Sequence, residues 1–198
     1  MNPKSKIPRP AGGDRRGGQN PQAGERQIEL VSGSIEETQA LGEQLGRSLR
    51  PGDVVALCGE LGSGKTTLVQ GIARGLGRDP ETIKSPTFVL MREYPPGPPA
   101  AIAGAGGDVP VIHIDGYRLE GPPAVSWLDI DLIFSPHKIT LIEWAQRFTG
   151  LLPDDVVTVQ LTHVSTNRRR LILHSTGPRS QAIVAALRPS TVHADSSH

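Results

Sequence analysis

Leucine recurs at every fourth position through Leu41, Leu45 and Leu49, a spacing that lines one side of a helix and predicts a buried stripe there. Ser34 with Glu37 three residues later forms a capping-box start for this helix, and Pro51-Gly52 stops it. Elsewhere the apolar runs have strand length: Gln27–Val31, Val54–Leu57, Thr87–Tyr94, Val111–Asp115 and Ile139–Glu143. Leu68–Leu76 reads as a second helix. Val156–Leu161 and Arg170–His174 alternate around polar turn residues and predict a hairpin. Strands interleaved with helices predict an α/β fold, a mixed β-sheet flanked by helices with its ligand at the carboxyl ends of the strands. The pattern does not set the order of the strands.

Three stretches fall outside this periodicity. Residues 1–26 are rich in Gly, Pro, Asn, Gln and Arg, with Ile7 the only large aliphatic residue after Met1, and are expected to be a disordered tail. They lack the apolar core of a secretory signal. Residues 95–110, almost wholly Pro, Gly and Ala, are expected to form a flexible insertion between two strands. Residues 178–198 are expected to be a carboxyl-terminal helix or tail, partly disordered. At 198 residues the remainder makes one domain, spanning 27–177. A net charge of +1 demands neither a nucleic acid nor an acidic membrane as partner. The single cysteine, Cys58, excludes an internal disulfide and suits a reducing, cytoplasmic setting. No run of about 18 apolar residues occurs, so no membrane-spanning helix is predicted.

Between the strand at Val54 and the helix at Leu68 stands G-E-L-G-S-G-K-T-T, Gly59 to Thr67. The pattern G-x-x-x-x-G-K-[ST] lets the backbone wrap a polyphosphate with its N–H groups turned inward, and the following helix adds the positive end of its dipole. Glu60, Leu61, Gly62, Ser63, Gly64, Lys65, Thr66 and Thr67 are the expected nucleotide-binding residues. Lys65 reaches the terminal phosphates, and the Thr66 hydroxyl is an expected ligand of Mg²⁺. This places the chain among three-layer, P-loop NTPase-like folds.

A nucleotide-hydrolysing loop needs a further carboxylate at the end of a neighbouring strand. Val111-Ile112-His113-Ile114 ends in Asp115, and Ile139-Thr140-Leu141-Ile142 ends in Glu143. Either acid can serve Mg²⁺ or place the attacking water, so both are candidate catalytic and metal residues beside Lys65. Thr87, in Ser85-Pro86-Thr87-Phe88, stands where nucleotide switches sense the γ-phosphate, although Ser-Pro is also an ordinary strand entrance. Trp144 is either packing or a lid over the nucleotide. Arg168, Arg169 and Arg170 form a basic cluster in which alternation turns Arg169 away from its neighbours. His113, inside a strand, reads as structural.

In order along the chain, the E-E-T from Glu36, L-G-x-x-L from Leu41, the phosphate loop, S-P-T-F at Ser85, Tyr94, H-I-D-G-Y-R-L from His113 and I-E-W from Ile142 resemble the TsaE (YjeE) family. The resemblance spans about Leu30 to Gly177. It implies an ATPase that is required for threonylcarbamoyladenosine modification of tRNA, uses ATP with Mg²⁺, and supports turnover of the transferase formed by TsaB and TsaD. Contact with tRNA is then indirect, through the assembly. It further implies Asp115 as catalytic or metal-organising acid, Glu143 as Mg²⁺ and water-positioning residue, Thr87 as switch-like, Trp144 as a nucleotide or partner neighbour, and Arg168 as a contact to the adenosine side. Gly116 departs from the family pattern, which commonly has an apolar residue after this Asp, and predicts a looser chain beside Asp115.

Two other functions remain open on the residues alone. One is a small-molecule or nucleotide kinase built on the same loop, which needs an acceptor pocket and usually an arginine-rich lid. The other is a nucleotide-gated binding module in which occupancy carries the signal. No N-K-x-D string supports guanine recognition, and no L-S-G-G-Q string supports a transporter ATPase.

Overall fold

The short apolar runs pair as one sheet in the computed structural model, which describes residues 26–97, 108–119, 129–148 and 150–187. Residues 1–25 of the expected tail, most of the Pro/Gly/Ala insertion and the last eleven residues lie outside the described residues, while Arg26, expected in the tail, opens the first strand. The strands are β1 (Arg26–Ser32), β2 (Val54–Cys58), β3 (Met91–Tyr94), β4 (Val111–Asp115), β5 (Ile139–Glu143), β6 (Val157–His163) and β7 (Arg169–Ser175). The helices are α1 (Ile35–Ser48), α2 (Lys65–Gly75), α3 (Ile130–Ile133) and α4 (Pro178–Ala186). The sheet order is β1-β7-β6-β2-β5-β4-β3. Strands β4, β5, β2 and β6 run parallel; β3 on one edge and β7 beside β6 run against them, and the edge strand β1, antiparallel to β7, runs with them again.

β2 is the pivot of this order. Its parallel neighbours β5 and β6 both come later in the chain and lie on opposite sides of it. A crevice opens at such a switch point beyond the carboxyl ends of the strands, and the loop Gly59–Gly64 leaves β2 there. All five residues of β4 and all five of β5 are buried, as expected for parallel strands covered on both faces.

One face of the sheet carries Val55, Leu57, Val111, Leu141 and Val159 against α1, α2 and α4. The opposite face carries Val54, Ala56, Ile112, Ile114 and Ile142 against Leu119, Ile133, Ala145 and Phe148. Short 3-10 turns and α3 cover that second face. Ser34 caps α1, accepting from the Glu37 amide at 3.1 Å, while Glu37 Oε2 accepts from Gly33 N, one residue before the Ser34 amide that a full capping box would use.

Helices α1 and α2 meet backbone to backbone. Gly42 and Gly46 on α1 face Gly71 and Gly75 on α2, each pair four residues apart and therefore on one side of its helix. A methyl group at Gly71 would overlap the Gln39 carbonyl, and one at Gly46 would overlap that of Ile72. This fixes α2, whose first residues are Lys65 and Thr66, against the sheet.

At the opposite end, α4 is tied down by charge. Arg179 donates Nε to Asp53 Oδ1 at 3.0 Å and Nη2 to Asp53 Oδ2 at 2.7 Å, while Nη2 also reaches the Ser48 carbonyl. Burial works against charge on Asp155, but hydrogen bonds from Ser180 and the Arg179 amide, with the Arg179 charge, outweigh it and hold the Asp155 carboxyl below its ordinary range. A carboxyl lowered in the folded state stabilises above its unfolded pKa of about 3.9 and loses that contribution as pH falls through the folded value. Thermal midpoints measured against pH should therefore fall on acidification below about pH 4. Asp155→Asn should lower the neutral midpoint and flatten that acid limb; an unchanged limb would assign it to other carboxylates.

Two expectations are corrected here. Thr87–Leu90 is a turn, not the start of a strand: the amides of Val89 and Leu90 both donate to the Pro86 carbonyl, and Leu90 has φ +65°. Gly116 does not loosen the chain. A Cβ there would stand 2.8 Å from the ring of Phe148 and 3.2 Å from the Trp144 carbonyl, so glycine permits close packing beneath Asp115.

Candidate functional site

The phosphate loop uses its glycines as backbone devices. Gly59, Gly62 and Gly64 have φ of +144°, +76° and +101°, which side-chain-bearing residues rarely adopt. Lys65 and Thr66 open α2 directly after Gly64. The Lys65 ammonium donates to the carbonyls of Gly59 at 2.9 Å and Glu60 at 2.8 Å, and lies 4.0 Å from the centroid of the Trp144 ring. Burial lowers the Lys65 pKa, and the charges of Glu143, Asp115 and Cys58 act in the opposite direction. Burial likewise pushes the Cys58 thiol up, so it behaves as a small packed residue.

The two strand-end acids stand side by side, since Asp115 and Glu143 are register partners in β4 and β5. Each has its own hydroxyl partners. Thr66 Oγ1 lies 3.0 and 2.8 Å from the two carboxylate oxygens of Glu143, and His113 Nε2 is 2.9 Å from Glu143 Oε1. Asp115 Oδ2 accepts from Thr87 Oγ1 at 2.6 Å and from the Ser85 hydroxyl, while Oδ1 accepts from the Tyr117 amide at 2.8 Å. The turn carrying Thr87 is thus fastened to Asp115, and α2 to Glu143.

A cleft of about 520 Å³ gathers Gly62, Gly64, Lys65, Thr66, Thr67, Thr87, Asp115, Glu143 and Trp144, rimmed by Ile35, Leu61, Phe88 and Tyr117. Trp144, with φ +58°, turns the chain out of β5 so that its ring covers Lys65. Arg168, expected on the adenosine side, closes the β6–β7 hairpin through backbone bonds with Val164 and Ser165 and is not among the residues lining this cleft. Arg169 does line it, its side chain running beside Gly64. The alternation noted above carried that signal. Ser85 and His113 are further residues that the sequence reading did not place at the site.

Among the described residues no group of three or more His, Cys, Asp or Glu is arranged to hold a metal ion. The Thr66 hydroxyl beside the Glu143 carboxylate is instead a pair of hard oxygen donors next to a phosphate-binding loop. Mg²⁺ is held in this manner, by one or two protein oxygens with substrate phosphates and water, so the residues fit the ion.

Residues 32–171 match the family described as Threonylcarbamoyl adenosine biosynthesis protein TsaE. The chain belongs to the TsaE family. Relatives include the tRNA threonylcarbamoyladenosine biosynthesis protein TsaE of Bacillus subtilis, 30% identical over 82% of this chain and 94% of its own. The protein of the same description from Nostoc is 38% identical over 68% of this chain and 78% of its own. The crystal structure of YdiB from Bacillus subtilis superposes with a TM-score of 0.64 at 28% identity, covering 82% of this chain and 95% of that one. The resemblance carried by the S-P-T-F, H-x-D and I-E-W strings is therefore borne out, as is the P-loop NTPase-like fold. No described helix of this TsaE family member is long and apolar enough to cross a membrane.

Proposed function

We propose that this chain binds and hydrolyses ATP, slowly alone and faster with partners, in support of a TsaB and TsaD threonylcarbamoyl transferase acting on tRNA. Family membership supports the pathway. The observation that best supports hydrolysis is the division of the two adjacent acids between different hydroxyls, Glu143 with Thr66 and Asp115 with Thr87 and Ser85.

On this reading the inward amides of the loop and the Lys65 ammonium hold the phosphates. Thr66 and Glu143 would hold Mg²⁺, which supplies charge neutralisation on the β- and γ-phosphate oxygens. Asp115 orients a water for attack on the γ-phosphorus and accepts its proton as ADP leaves. Thr87, bonded to Asp115, senses whether a γ-phosphate is present. Arg169 faces the nucleotide from the hairpin side.

Asp115→Asn should lower phosphate release by about 10²-fold or more, the scale of a lost general base, while binding of a fluorescent ATP analogue stays within about threefold. The assay contains no acceptor, so release by the parent protein also separates hydrolysis from a kinase reaction. Were both Asp115→Asn and Glu143→Gln to hydrolyse ATP at the parental rate with TsaB and TsaD present, the two-carboxylate reading would fail. Co-purification with TsaB and TsaD, with and without ATP and Mg²⁺, tests the partners; no association under any condition counts against them.

A further inference from the structure

His113 is fully buried, yet among the described residues one of its ring nitrogens has no hydrogen-bond partner. Strand alternation puts it on the same face of β4 as Asp115, beneath the carboxylate of Glu143. Its Nε2 lies 2.9 Å from Glu143 Oε1, and Nδ1 is buried with no hydrogen bond to the described residues. With Nε2 donating to the carboxylate oxygen, Nδ1 is the atom left over. The ring of Tyr94 stacks at 6.4 Å between centroids. An orphaned buried polar atom carries a desolvation cost that leucine or phenylalanine would avoid at the same depth. Packing alone therefore does not account for an imidazole here. Its polar gain is the bond to Glu143.

The other partner of Glu143 is Thr66, whose hydroxyl spans both carboxylate oxygens. A hydroxyl that offers a lone pair to a metal ion has one hydrogen left to donate, so Thr66 alone does not fix both oxygens of the Glu143 carboxylate. Nε2 of His113 is the second group on this carboxylate, held on Oε1 from within the core while Oε2 lies against the Thr66 hydroxyl. We propose that His113 is a positioning residue that orients the Glu143 carboxylate for the metal ion bound with the nucleotide. The inference rests on the reading of Thr66 and Glu143 as the Mg²⁺ site. Hydrogen-bonded partners of ligating groups commonly change metal affinity by about 10–100-fold when removed.

The test uses the full chain, a fluorescent non-hydrolysable ATP analogue and a Mg²⁺ titration, with thermal unfolding as the check on folding. His113→Leu keeps an apolar side chain in the core and removes the donor. It should raise the Mg²⁺ concentration for half-maximal binding by about tenfold or more, with binding in EDTA unchanged. His113→Gln, whose amide reaches near the Nε2 position, should restore the requirement to within about threefold of the parent. A leucine variant within about twofold of the parent, or leucine and glutamine variants shifted equally, would overturn the proposal in favour of packing. His113→Met takes the place of leucine if that variant does not fold. Glu143→Gln run in parallel separates the two levels: no change in its Mg²⁺ requirement would sink the metal-site reading itself, independently of His113.

Discussion

Replacing Lys65 by alanine is expected to reduce ATP hydrolysis by at least about 10²–10³-fold, the effect of removing one preorganised donor from a developing anion. The surroundings of Lys65 argue for the upper end. Its ammonium is the cation held by the loop's own carbonyls under the Trp144 ring, and the charges of both Glu143 and Asp115 act on it. Without it, two neighbouring carboxylates would face the proposed phosphates with the nearest cationic side chain removed. Nucleotide binding should weaken together with turnover. Lys65→Met separates charge from packing, since methionine keeps an unbranched apolar stem under Trp144 and carries no ammonium. Both variants should be equally inactive in phosphate release. A methionine variant near the parental rate would show that Lys65 acts as a spacer.

Where side-chain period and chain order agree, the sequence was enough. β4 and β5 are mostly apolar, broken only by His113 and Thr140, and end in Asp115 and Glu143, so their burial and the position of the acids could both be read. The strand order could not. β2 pairs in parallel with two strands that follow it by more than 80 residues, and such pairing leaves no local mark. Thr87–Leu90 was misread for a different reason. Phe88, Val89 and Leu90 suit a strand by type, but Pro86 accepts both following amides and Asp115 takes the Thr87 hydroxyl, so tertiary bonds override propensity. The result leaves Phe88 at 86% exposure on the rim of the cleft. Arg169 rather than Arg168 reaches the loop because β7 begins at Arg169, facing Ser32 and His163, and Arg168 is spent in the turn. His113 read as structural by burial. Its tie to Glu143 depends on the neighbouring strand and has no sequence signature.

Gly71→Ala is expected to destabilise the protein by about 2 kcal/mol or more, and the sign of the effect decides the argument. By intrinsic propensity alone, alanine in place of glycine in a helix interior should stabilise by about 1 kcal/mol. Against this, the new methyl would meet the carbonyl oxygen, carbon and Cα of Gln39, all backbone atoms of α1 that cannot rotate aside. Overpacking of this kind typically costs about 1–3 kcal/mol and more when backbone must move. For a domain of this size the thermal midpoint should drop by roughly 4–8 °C. Relief requires α2 to move away from α1, and α2 begins with Lys65 and Thr66. A shift there should also loosen the Thr66–Glu143 contact, so affinity for the ATP analogue with Mg²⁺ should fall along with stability. Gly46→Ala, which meets the Ile72 carbonyl from the other side, should behave alike. Because the two sites share one interface, the double substitution should cost less than the sum, since a single separation of the helices relieves both. A rise in the midpoint for either single variant would mean that the helices yield easily, and that close approach of α1 is not what holds the phosphate-binding helix in place.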